Sequence, residues 1–255
     1  MTRHPTEITV DLLPRRQTAA DDTADRRTDE VAVVVDVLRM TTTATVLAEL
    51  GLARLEVIAD VERARTRART GGALLLGERD ARPLPGFDGG NSPLEFTGVA
   101  VLGRSAVLCT TNGSAAVEAC AYAAHVLLGS LRNAGAVARR ALALAQGPIR
   151  VVCAGTEGTV SLDDGVAAGH IVAALAELAP DAVLTDTALL ARVAARGADV
   201  GALLASSRHG RNLARAGFGD DIAEAARIDV TERVLERVPG SSATFACPPE
   251  DTGVA

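Results

Sequence analysis

Three times in succession, a short apolar run in this chain ends on a carboxylate, hydroxyl or amide and passes into an alanine-rich helical pattern. The first instance is VAVVVDVLRMTTTATV, residues 31–46. Its opening run, Val31–Val35, has no polar alternation, which suits a strand buried on both faces. Asp36 follows at once, then Arg39 and the threonines Thr41, Thr42 and Thr43, and residues 44–50 read as a helix. The second instance runs from a strand at 106–109 through Thr110, Thr111, Asn112, Gly113 and Ser114 into a helix at 115–124. The third runs from a strand at 126–128 through Gly129, Ser130 and Asn133 into a helix at 134–145. Parallel strands joined through helices bring their carboxyl-end loops to one edge of a sheet, where ligands bind. The pattern therefore predicts an α/β fold, a layered sheet with flanking helices. Helix starts offer unpaired N–H groups that favour anions, and threonine hydroxyls there cap the helix or bind phosphate. The plainer alternative at the first loop is a capped βα turn in which Asp36 only orders the chain.

The rest of the chain extends the scheme. Residues 7–13 read as an edge strand, and 14–29 as a polar, exposed, disordered stretch within an N-terminal segment 1–30. A strand at 53–58, a helix at 61–69 and a strand at 73–76 lead to Gly77, Glu78 and Arg79. A long loop rich in proline and glycine follows, 80–93, and loops of that length inside a domain are usually functional or disordered. Glu78 then reads as a site wall, and Asn91, Ser92 and Pro93 as a turn into a helix start. Gln146, Gly147 and Pro148 form the clearest break, and divide residues 31–240 into two α/β lobes. Beyond it come a strand at Ile149–Cys153, a polar loop through Glu157 and Ser161 to Asp163 and Asp164, and a helix at 165–178. A strand at 182–185 ends beside Asp186, with helices at 188–196 and Val200–Ser206. Residues 207–221 read as a polar loop carrying Arg208, His209, Gly210, Arg211 and Asp221. Residues 222–228 fit helix or strand, 234–239 close the ordered part, and 241–255 read as a weak tail.

Composition excludes several chemistries. All 26 basic residues are arginine, so lysine Schiff bases and a Walker-type phosphate lysine are ruled out. A net charge of −6 and 2% aromatic content argue against nucleic-acid binding. The four cysteines lack metal-ligand spacing, and no apolar run approaches the length of a membrane span. A cytoplasmic protein acting on a small molecule is expected, with no membrane or nucleic-acid partner and with the oligomeric state open.

Asp36, Glu78, Asp163, Asp164 and Asp186 all end strands or open helices. Two or three carboxylates with waters and phosphate oxygens are how Mg²⁺ is usually held. The alternative reading makes Asp163 and Asp164 helix caps and Asp186 a turn residue. Arg39, Thr41–Thr43, Thr110–Gly113, Ser130 and Asn133 supply donors for an anion. Helix dipoles contribute only about 0.3–1 kcal/mol each, whereas phosphomonoester hydrolysis can require roughly 29 kcal/mol of barrier lowering. A metal and positioned cations must supply most of it. Aspartyl-phosphate chemistry of the haloacid dehalogenase type is excluded, because Leu38 stands where its second aspartate belongs and lysine is absent. Cysteine phosphatases need an arginine six residues past the nucleophile, where this chain has Ala115, Val126 and Thr159. Arg208-His209-Gly210 spells the histidine-phosphatase triplet, but no histidine follows it. That triplet is read as coincidental, although His209 or Arg211 can still face the site.

An ordered set of segments resembles the 2-phosphosulfolactate phosphatases of the ComB type. The segments are VVVDVLRMTTT (33–43), GER (77–79), GFDGGNSPLEF (86–96), TTNGS (110–114), GSLRN (129–133), VCAG (152–155), LDDGVAAG (162–169), HGRNL (209–213) and VP (238–239). The resemblance implies Mg²⁺-dependent hydrolysis of 2-phospho-3-sulfolactate to sulfolactate and phosphate, a coenzyme M pathway step, in a fold particular to that family. It supports Asp36, Glu78 and Asp164 as site carboxylates, and Arg39, Asn91, Ser92, Thr111 and Asn112 as motif positions. The catalytic set expected is Asp36, Arg39 and Glu78, and the metal set Asp36, Glu78, Asp163 and Asp164. Substrate contacts are expected from Thr41, Thr42, Asn91, Ser92, Thr110, Thr111, Asn112, Gly113, Ser130, Asn133 and Arg211. The chain departs from the family pattern in having Asp163 where a glutamate is common, and in the length of its polar 14–29 stretch. The remaining alternatives are a phosphatase of another small phosphorylated acid and a non-catalytic binder of such a metabolite.

Overall fold

The computed structural model of the protein describes residues 7–15, 29–96, 101–197 and 199–248. Most of the polar 14–29 stretch and the last residues of the expected tail lie outside them. The elements in chain order begin with β1 (Glu7–Asp11), β2 (Val31–Val35), α1 (Met40–Glu49), β3 (Arg54–Ile58), α2 (Val61–Gly71), β4 (Leu74–Arg79) and β5 (Arg82–Pro83). A 3₁₀ turn, Pro93–Phe96, precedes β6 (Ser105–Cys109), α3 (Asn112–Glu118) and β7 (His125–Gly129). After a second 3₁₀ turn, Leu131–Asn133, come α4 (Ala134–Leu144), β8 (Ile149–Cys153), α5 (Leu162–Leu178), β9 (Val183–Leu184) and α6 (Asp186–Ala195). The chain closes with α7 (Val200–Ser206), α8 (Arg208–Arg215), α9 (Gly219–Ala225), β10 (Leu235–Arg237) and β11 (Thr244–Ala246).

The strands form one sheet in the order β5-β4-β6-β3-β11-β10-β7-β2-β8-β1-β9. It contains two parallel blocks, β4-β6-β3 and β7-β2-β8-β1-β9. The antiparallel pair β10–β11 joins them, β10 lying against β7 and β11 against β3. Residues 146–148 link α4 to β8 inside the second block, so the seam between the blocks is this hairpin. The first strand is not at the edge, since β9 pairs outside it.

The apolar run Val31–Val35 does lie buried on both faces. Val31, Val33 and Val35 pack with α4 and α5, and Ala32 and Val34 with α1 and α3. This alternation reflects the two-residue period of a strand. It also locates a topological switch. The helix after β2, α1, lies on one face of the sheet, and the helix after the neighbouring β8, α5, lies on the other. The chain parts at their carboxyl ends and leaves the crevice in which open α/β sheets bind ligands.

Three local expectations are corrected. Helix α1 starts at Met40, so Thr41, Thr42 and Thr43 are helical and fully buried. Residues 207–221, read as a loop, form α8 and the start of α9. The expected tail contains β11, whose Phe245 is fully buried. No helix among the described residues is long and apolar enough to cross a membrane.

Candidate active site

Asp36 stands at the carboxyl end of β2 and is 5% exposed. Burial, then Asp163, then Glu78 push its carboxyl up to about 7, against a hydrogen bond from the Met40 N–H and the charge of Arg39. The three carboxylates come from stretches far apart in the chain: Asp36 and Asp163 follow the neighbouring parallel strands β2 and β8, and Glu78 lies near the end of β4, in the block that runs the opposite way. Asp164 is pushed well above the usual carboxylate range by burial and by Asp163 and Asp36. Its two oxygens accept from Val37 N and Gly155 N, each at 2.9 Å, and so staple the β2 loop to the β8 loop. Asp163 is also buried; its Oδ1 accepts from Ser161 and its Oδ2 has no partner. A buried carboxylate oxygen without a donor is costly unless a cation compensates it. Among the described residues no three His, Cys, Asp or Glu side chains form a ready metal-ligand group.

Arg39 is buried and locked. Its Nη1 donates to Asp221 Oδ2 at 2.6 Å, its Nη2 to Ala81 O at 2.9 Å, and its guanidinium lies 4.5 Å from the centre of the Phe218 ring. The other Asp221 oxygen accepts from Ser92 Oγ at 2.6 Å. Glu78, half-buried, accepts from Ala81 N at 2.9 Å. Asp221 lies in α9 and Phe218 just before it, and α8 supplies His209. That imidazole is held below its usual range by burial, with Asp163, Arg39, Glu78 and Glu157 around it. Asp221 was not among the expected site residues.

The expected substrate contacts divide. Thr41 Oγ1 accepts from Asp36 N at 3.2 Å, and Thr42 Oγ1 donates to Val37 O at 2.7 Å, so both brace the loop that carries Asp36. Thr43 reaches Asn91 O at 2.9 Å, while the Asn91 Oδ1 is buried without a partner. Ser130 and Asn133 are buried and bonded to each other, and Asn133 also donates to Leu128 O and Arg233 O. Arg211 is exposed and donates to Ser206 O. Asp186 opens α6 at the outer end of the sheet. Within the 110–113 stretch, Gly113 lies against Asp36. Asn112 Oδ1 accepts from Glu157 N at 3.4 Å, and a Cβ on Gly113 would lie 2.7 Å from Asp36 Oδ2 and 2.6 Å from Met40 Cε. Gly113→Ala is therefore expected to cost about 1–3 kcal/mol of stability by overpacking. It should lower kcat/KM disproportionately, because the strain falls on Asp36. Urea denaturation and steady-state kinetics on one preparation check this; unchanged kinetics would separate Gly113 from the site.

Comparison with known proteins bears on the same residues. A family model described as 2-phosphosulpholactate phosphatase matches residues 17–239. A protein of Deinococcus radiodurans named probable 2-phosphosulfolactate phosphatase is 45% identical over 236 residues, 91% of this chain and 94% of its own. Proteins of the same name from Symbiobacterium thermophilum and Clostridium acetobutylicum are 40% identical over 210 residues and 30% over 226, covering 80% and 87% of this chain and 90% and 96% of theirs. The matched span takes in every carboxylate and arginine gathered at the switch point, and the chain belongs to the 2-phosphosulpholactate phosphatase family.

Proposed function

We propose that the protein hydrolyses 2-phospho-3-sulfolactate to 3-sulfolactate and phosphate with Mg²⁺, a step of the coenzyme M type. The observation that carries the reading is the cluster of buried Asp36 and Asp163 with half-buried Glu78, beside which Arg39 is the arginine found among the described residues. Arg39 is already paired with Asp221. Mg²⁺ is commonly held by one or two carboxylates and keeps several waters, so a pair of ligands is enough. Asp36 and Asp163, with its partnerless Oδ2, would hold the ion. Glu78 would act through water, and Asp164 would orient the loops through its two backbone bonds. When bound, the metal supplies charge neutralisation and polarises the phosphoryl group. Arg39 adds a fixed positive charge beside the cluster, and Asn91 and the 110–113 loop supply polar contacts to the substrate. A substrate with two anionic groups suits a site that pairs a metal with a separate set of donors.

The test is phosphate release from 2-phospho-3-sulfolactate by purified protein, with Mg²⁺ and again with excess chelator. Release is expected with the metal, falling by about 100-fold or more without it. Equal rates in both would sink the metal role. Release only from other phosphorylated hydroxy acids would move the substrate.

A further inference from the structure

We infer that His209 is the general base of the hydrolysis, fixed in its Nδ1–H tautomer by a two-hydroxyl relay that ends on Asp163. The inference rests on the phosphatase reading above. The relay follows from counting protons. Ser161 Oγ donates to Asp163 Oδ1. A hydroxyl has one proton, so Ser161 must accept along its other contact, and Thr156 Oγ1 donates to it at 3.2 Å. Thr156 then has no proton left for His209, whose Nδ1 lies 3.4 Å away. The ring must be the donor there. With Nδ1 protonated, the neutral imidazole carries its lone pair on Nε2, because the bond at one nitrogen sets the state of the other. Nε2 has no protein partner among the described residues.

The surrounding backbone holds this arrangement in place. Gly210 N donates to Ser207 Oγ at 2.8 Å and starts α8. A Cβ at Gly210 would come within 2.0 Å of Leu204 O, so α8 sits tightly against α7. Thr156 is held by paired backbone bonds with Thr159, at 2.9 and 3.0 Å. The charged groups facing the ring are Asp163, Arg39, Glu78 and Glu157, and burial outweighs the carboxylates in keeping the imidazole neutral near pH 7.

In the step assigned to it, Nε2 takes one proton from a water as that oxygen bonds to phosphorus. The bond between phosphorus and the ester oxygen breaks, and its electron pair stays on that oxygen. The proton returns from His209 through solvent to the ester oxygen, giving the alcohol and hydrogen phosphate. Thr156 and Ser161 are positioning residues, since they act through the ring.

Two measurements test this. Nitrogen-15 NMR of histidine-labelled protein at pH 7.5 is expected to show a protonated Nδ1 and a bare Nε2 for the resonance that His209→Gln removes. A dominant Nε2–H tautomer overturns the proposal, whatever the substrate. With 2-phospho-3-sulfolactate and Mg²⁺, His209→Ala should lower kcat by about 10²-fold with little change in KM. The same variant should lose the acidic limb of the pH profile and regain part of its rate with added imidazole. Thr156→Val and Ser161→Ala should each lower kcat about 10-fold and move that limb. Retention of the acidic limb in His209→Ala, no rate regained with imidazole, or kcat within threefold of the parent overturns the base assignment. A parent protein that releases no phosphate from this ester refutes the substrate instead, and the tautomer measurement then decides the relay.

Discussion

Asp36→Asn is expected to lower turnover by about 10³-fold or more and, in chelator at pH 8, to make the protein more stable than its parent. The first effect follows from removing the carboxylate at the centre of the cluster. The second follows from linkage. The carboxyl of Asp36 rises from the ordinary 3.8 to about 7 on folding, which at 1.36 kcal/mol per unit is about 4 kcal/mol. A raised carboxylate means that the folded state holds its proton more tightly than the unfolded state. The parent keeps that stability below about pH 4, loses it as pH climbs through about 7, and changes little from this group above. The amide has no charge to desolvate, so the gap between variant and parent should open over that window and then stay level. Thermal denaturation at pH 4.5 and pH 8 in chelator measures it. Melting curves that coincide at pH 8 would show that Asp36 carries no buried repulsion, and the case for a cation there would fall with it.

Asp221→Ala is expected to destabilise the protein by about 3–5 kcal/mol, because it leaves the buried Arg39 guanidinium without its partner. Ser92 loses its acceptor in the same change. Replacing both members of the pair, Arg39→Met with Asp221→Leu, should recover most of that stability, since apolar pairs often substitute for buried ion pairs without loss. Activity should not recover, because the cation beside Asp36 would be gone. Urea denaturation and phosphate release on the single and double variants separate the two roles. A single variant that loses less than about 1 kcal/mol would place the pair in solvent.

These two residues mark how far the sequence could be read. Asp36 was legible because it interrupts an apolar run at a strand end, and a buried strand cannot continue through a carboxylate. Asp221 was not, because its meaning lies in Arg39, 182 residues away. No local pattern announces such a partner. The stretch around it reads as loop because α8 turns only His209, Gly210 and Leu213 inward and presents charge to water elsewhere. Thr41 to Thr43 suggested an anion-binding loop for a related reason. Threonine is a weak helix former, yet here the Thr42 and Thr43 hydroxyls bond to backbone carbonyls outside the helix, and burial supplies what propensity lacks. Residues 244–246 were passed over because a three-residue strand with one buried phenylalanine has no periodicity to detect. The parallel order within each block, and the neighbouring strand ends that carry Asp36 and the Asp163 loop, followed from the repeated strand-loop-helix pattern; that Glu78 comes from a block of opposite direction did not. The positions contributed by α8 and α9 required the tertiary structure.

The β10–β11 seam has a consequence for how the molecule is assembled. Thr244 pairs with Glu56, and Leu235 with Leu128. Both registers join parts of the chain made long apart, and contacts of such sequence separation form slowly. During synthesis the two parallel blocks have no strand between them until this ribbon leaves the ribosome. The nascent protein carries two open sheet margins for most of its translation, and margins of that kind invite pairing with other chains. Enclosure of those margins is therefore a late event in the birth of this enzyme.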